Sequence, residues 1–107
     1  MEDDTLILGD CIQLTGFKGS DPGELIVVKK IVGHFVEKYS KTCKKFHKLV
    51  LVKKDVHKKE QSQKYELQGK LLEENKTHSV NAVDYNLFLA LDDVLKKLEK
   101  IIEKECS

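Results

Sequence analysis

The chain has 107 residues, 40% of them hydrophobic and 35% charged, with a formal net charge of +1. That length supports one hydrophobic core rather than two, and the apolar content excludes a disordered polymer. No run approaches the roughly 18 apolar residues that cross a bilayer, and the acidic start Met1-Glu2-Asp3-Asp4 is unlike the basic opening of a secretory signal.

Residues 6–17, LILGDCIQLTGF, are apolar and β-prone. From Ile12 they alternate, Ile12 and Leu14 against Gln13 and Thr15, which predicts a first strand. Gly19 to Gly23 is a turn cluster. Asp21-Pro22-Gly23-Glu24 then opens a helix: Asp21 suits the cap, Pro22 the first helical position, and Glu24 can reach back to the cap amide. Leu25, Val28, Val32, Phe35, Val36, Tyr39, Cys43 and Phe46 recur at three- and four-residue steps, so the predicted helix covers 22–46. Its opposite side carries Lys30, His34, Glu37, Lys41, Lys44 and Lys45, with Lys38 at the margin.

Residues 48–54, KLVLVKK, predict a second strand, and 55–63, DVHKKEQSQ, a polar connection. Residues 64–72 alternate, with Tyr65, Leu67, Gly69 and Leu71 inward and Glu66, Gln68 and Lys70 outward. After a turn at 73–76, residues 77–83 form a short strand with Val80 and Ala82 as core candidates. Asp84 is the expected cap of a second helix over 85–104. Phe88, Leu91, Leu95, Leu98 and Ile102 make its buried stripe, and Asn86, Asp93, Lys97, Lys100 and Lys104 lie opposite. The expected fold is α+β, a two-layer β-α-β-β-β-α unit. Its four-stranded antiparallel sheet carries both helices on one face. Residues 1–107 make one domain with a core from about 6 to 104 and short acidic tails.

Charge is segregated along this order. Lys29 to Lys59 holds eleven lysines against Glu37 and Asp55, a balance of +9, while both flanks are acidic. A basic block of this kind suits a polyanion partner, because local field rather than net charge attracts phosphate. All 19 basic residues are lysine. Lysine lacks the rigid fork that reads guanine, so contact with a nucleic-acid backbone is expected rather than base readout. Two helices side by side would set the row Lys30–Lys41–Lys45 against Lys97–Lys100–Lys104 as a cationic groove. Lys53, Lys54, Lys58 and Lys59, around Asp55 and His57, could extend that surface.

Other chemistry is poorly represented. Cys11, Cys43 and Cys106 are an odd, scattered set, expected to stay reduced in a cytoplasmic protein, with Cys43 a core thiol. Cys43 and His47, with distant His57 and His78, do not make a zinc spacing, so no metal or cofactor is expected. No catalytic motif appears, and Asp92 and Asp93 point about 100° apart on a helix, so no enzymatic activity is expected.

Three stretches carry a resemblance to a known family. They are Ile12-Gln13-Leu14-Thr15-Gly16-Phe17, Lys64-Tyr65-Glu66-Leu67-Gln68-Gly69-Lys70-Leu71, and the block from Val80 to Glu99, VNAVDYNLFLALDDVLKKLE. Together they resemble the ribosome hibernation-promoting factor and ribosome-associated translation inhibitor family and its archaeal-like single-domain members. The resemblance implies the order β-α-β-β-β-α, in a fold related to double-stranded RNA-binding domains. It further implies binding to ribosomal RNA on the small ribosomal subunit near the decoding region, which suppresses translation. The basic helix positions that match in kind are Lys30, Lys38, Lys41 and Lys45, with Lys97, Lys100 and Lys104. The alternative is a non-catalytic protein-interaction module, a homodimer or adaptor, docking through the sheet face or edge.

Overall fold

The computed structural model describes residues 5–59 and 62–106, and says nothing of the side chains of 55–63. The expected acidic tail at residues 1–4 and the side chains of His57, Lys58 and Lys59 therefore lie outside the described residues. The elements, in chain order, are β1 (Thr5–Leu8), β2 (Ile12–Thr15), α1 (Pro22–Thr42), β3 (Phe46–Lys59), β4 (Ser62–Glu73), β5 (Thr77–Asp84) and α2 (Leu87–Cys106). The fold is α+β, with two helices and a five-stranded mixed sheet in the order β1-β2-β3-β4-β5.

Two features correct the four-stranded antiparallel expectation. The first apolar run is not one strand but a hairpin. Gly9 takes a positive φ of 60° in the turn, and β1 returns antiparallel on β2, Leu6 opposite Leu14. The Gly9-Asp10 pair is a turn signal inside an apolar run, and the break follows from it. In addition, β2 pairs parallel with β3, Ile12 beside Leu49 and Leu14 beside Leu51. A parallel pair needs a crossover, and α1 provides it. The remaining strands form the expected antiparallel meander.

The strands β3 and β4 run well past the sheet. Pairing continues to Lys58–Gln63 and Lys59–Ser62, with a register shift between Asp55 and Lys58. What reads as a polar connection is thus two-stranded ribbon. Its backbone groups satisfy each other across the ladder, so the strands need no apolar side chains to persist.

Both helices lie on one face of the sheet and share a single core. Leu49, Leu51, Leu67 and Leu71 point inward between them, all fully buried. Gly69 faces the same way, so the alternation of β4 is as expected. From the helices come Val28, Val32, Phe35, Val36 and Tyr39 on one side and Leu91, Val94, Leu95, Leu98 and Ile102 on the other. Burying each such side chain contributes roughly 1.5–3 kcal/mol.

The helix ends are set locally. The Asp21 carboxylate accepts the Glu24 amide at 3.1 Å, with Pro22 at the first helical position. We expect Asp21→Ala to cost about 1 kcal/mol, measured as a lower urea midpoint at unchanged m-value. The other end of α1 comes at Thr42, not 46. Cys43 turns extended, its amide bonded to the Tyr39 carbonyl, and Phe46 opens β3. Phe46 keeps the helical phase by coincidence, since it packs on Tyr39 from the strand, ring centroids 6.0 Å apart. For α2 the cap is Asn86, whose side-chain oxygen accepts the Phe88 and Leu89 amides at 2.9 and 3.2 Å. Asp84 instead accepts the Asn86 amide at 2.9 Å, closing the turn before it.

Candidate functional site

The helix pair is locked before it presents any charge. The Tyr39 hydroxyl donates to the Leu95 carbonyl at 2.6 Å inside the core. Burial pushes the phenol far above its ordinary range, with Glu99 adding to the effect. The hydroxyl is therefore a permanent donor, and α1 and α2 are held edge to edge at this point. Beside it, Lys38 reaches from α1 over the Phe35 ring, 5.3 Å from its centroid, and pairs with Glu99 of α2 at 3.5 Å.

This arrangement redistributes the expected lysines. Lys30 and Lys41 lie on α1 opposite its buried stripe, and Lys100 does so on α2. Lys41 pairs with Glu37 at 3.3 Å, in full solvent. Lys45 sits exposed on the turn after α1. Lys30, Lys45, Lys100 and Lys104 are exposed and have no ion-pair partner among the described residues.

Lys97 does not face α1. Since Glu99 marks the side of α2 that meets α1, Lys97 lies about 160° around the helix from it, at 100° per residue. Lys97 extends to the edge strand instead, where it donates to the Asn81 carbonyl at 3.0 Å and pairs with Asp93 at 3.2 Å. Lys104 is on the same flank. The expected groove of two facing lysine rows is therefore not formed. The structure gives an outward-facing cationic surface, strongest on α1 and its C-terminal turn. α2 is closer to neutral, because Asp92–Lys96 and Asp93–Lys97 pair at i,i+4.

Lys53 is a further correction. It lies on β3, within the strand predicted over 48–54, but is half-buried instead of extending the surface, and donates to the Ser20 hydroxyl at 3.1 Å. Its ammonium sits over Phe17 and Tyr65, 5.6 and 5.5 Å from the ring centroids. It closes the end of the core and is taken out of the cationic surface. Lys54 remains exposed. Lys64, on the ribbon, stands over the exposed Tyr85 ring at 5.3 Å, a cation–π pair that strand alternation alone does not reveal.

The largest departure concerns the cysteines. Cys43, the C-cap of α1, is disulfide-bonded to Cys106, the last residue of α2, across 63 positions of sequence. Cys11 alone is free. Chain spacing carries no signal of this pairing, because it depends on the two helices ending at the same place. The Glu73 carboxylate lies within 4.8 Å of both sulfurs and is held in turn by the His78 ring. Three metal-type donors thus meet where none was expected, but the bridge commits both sulfurs to each other. Nearby, Lys76 donates to Glu105 at 3.1 Å, and this bond and its charge hold the Glu105 carboxyl below its usual range.

The open face of the sheet is mixed in character. Leu49 and Leu51 belong to the core, so Val50 and Val52 face outward, half-buried among Gln13, Thr15, Gln68 and Lys70. Among the described residues, no helix is long and apolar enough to cross a membrane.

Fold and surface together define a two-layer α+β domain whose paired helices expose lysine on their outer side. No protein-family model matches the chain, and no curated protein matches it.

Proposed function

We propose that this protein binds structured RNA through the outer face of its helix pair, and that the RNA is ribosomal RNA of the small subunit. The observation that carries the reading is the set of exposed lysines without ion-pair partners among the described residues, Lys30, Lys100 and Lys104 on two helices fixed to one rigid layer and Lys45 on the turn after α1. Their charge is free to replace counterions on a phosphate backbone. Lysine supplies charge without base-edge geometry, which suits recognition by shape, as in double-stranded RNA. The chain order from β2 onward, β-α-β-β-β-α, is the one the sequence resemblance implies, and this supports the small subunit as the particular target.

Occupancy is the proposed mechanism. The domain covers rRNA that tRNA or mRNA would otherwise use, and translation is modulated without chemistry on the RNA. The test is a pull-down of tagged protein from lysate at low and high salt, with RNA recovered and sequenced. Small-subunit rRNA enriched at low salt and lost at high salt is the expected result. Recovery of no RNA at low salt, with the protein sedimenting as a salt-insensitive dimer, refutes the reading.

A further inference from the structure

We propose that the Cys43–Cys106 bridge is a thiol–disulfide exchange site that takes a small anionic thiol carrying carboxylates. The bridge forms part of the wall of a cavity of about 470 Å³ at the shared C-terminal ends of α1 and α2. Lys41, Lys44, Lys45 and Lys76 line this cavity with Glu73 and Glu105. Four lysines against two glutamates make it cationic, and Lys44 and Lys45 are exposed without ion-pair partners among the described residues. A thiol bearing two carboxylates and one ammonium, net anionic, matches that lining in sign.

The two sulfurs are inequivalent. Cys43 is buried, 2% exposed, whereas Cys106 is partly open. An incoming thiolate therefore reaches Cys106. It forms a new S–S bond there as the Cys43–Cys106 bond breaks, and the electron pair leaves on Cys43 as a thiolate. Lys41, Lys44 and Lys45, which share the cavity wall with Cys43, favour that anion, and the Glu73 carboxylate within 4.8 Å of both sulfurs opposes it. A second thiolate can then attack the mixed disulfide. It releases the small-molecule disulfide and leaves both cysteines reduced, so the electrons balance within the thiol–disulfide couple. Exchange frees the end of α2 from the cap of α1, while Tyr39 continues to hold the helices at Leu95.

The experiment uses the full oxidised chain and is independent of RNA binding. Glutathione, neutral 2-mercaptoethanol and cationic cysteamine are compared at equal thiolate concentration. Alkylation, intact mass and peptide mapping give the rate and the position of the adduct. Glutathione is expected to open the bridge roughly fivefold faster than cysteamine, the scale of a partly screened charge contact. Its adduct maps to Cys106, and Cys43 is alkylated. The double variant Lys44→Glu, Lys45→Glu loses the preference with an unchanged circular dichroism spectrum. Cys43→Ser, given oxidised glutathione, carries the adduct on Cys106. Equal rates for the three thiols, an adduct confined to Cys11, or oxidised protein whose Cys43 and Cys106 are both alkylated without reduction would each overturn the proposal.

Discussion

Gly69→Val is expected to destabilise the fold by about 2–3 kcal/mol, although valine is the better strand former. Gly69 lies in the middle of β4, between Leu51 on β3 and Val80 on β5. A Cβ at this position would overlap Val94 Cγ1 of α2 and press on Leu98 and Leu51 at 3.3 and 3.4 Å. These neighbours are fully buried and have no free volume to retreat into. Glycine is here because the helix approaches the sheet backbone closely, not because of an unusual dihedral angle. Strand propensity and packing therefore predict opposite signs. Propensity favours valine by at most about 1 kcal/mol, which the overlap exceeds. Urea unfolding followed by circular dichroism decides between them. Val94→Ala in the same chain should recover part of the loss, with a coupling of about 1 kcal/mol or more. A Gly69→Val protein as stable as the parent would mean that α2 does not sit against β4 as described.

The position of Gly69 was readable because β4 alternates. Leu67, Gly69 and Leu71 share a face in the sequence and in the sheet. The helices were readable for the same kind of reason, since each carries a continuous apolar stripe at helical spacing. What stayed hidden depends on tertiary partners. The parallel pairing of β2 with β3 is set by where the crossover returns the chain, and nothing in IQLT or LVLV marks it. The stretch of β3 after Lys54 looks like a loop because its ladder is backbone chemistry, indifferent to polar side chains. Lys53 looks like surface charge until Phe17, Ser20 and Tyr65 are brought around it. The same limit applies to the lysine rows. Helical phase correctly placed Lys30, Lys41 and Lys100 outward, but the phase of one helix cannot say which flank meets its neighbour. Glu99 takes that side of α2, and Lys97 goes to the far one.

Charge reversal at Lys30 and Lys100 is expected to weaken ribosome co-sedimentation by about ten- to a hundredfold at moderate salt. These two positions separate binding from folding better than their neighbours. Lys41→Glu would also set a new acid beside Glu37, and Lys97→Glu would remove a hydrogen bond to the Asn81 carbonyl. Lys30 and Lys100 have no such partners among the described residues, so Lys30→Glu with Lys100→Glu should leave the unfolding transition nearly unchanged. The salt dependence carries further information. Each lost phosphate contact lowers the slope of log K against log salt by roughly 0.7–0.9, so the double variant should bind with a shallower slope as well as more weakly. A lysine-only surface also predicts little discrimination between RNA helices of different sequence, because the contacts stop at the backbone. The three readouts form one expectation: weaker binding, a shallower slope and an unchanged preference among sequences. A double variant that co-sediments like the parent at every salt concentration would place the RNA contact elsewhere. Lys54, exposed on β3, would then be the position to reverse next.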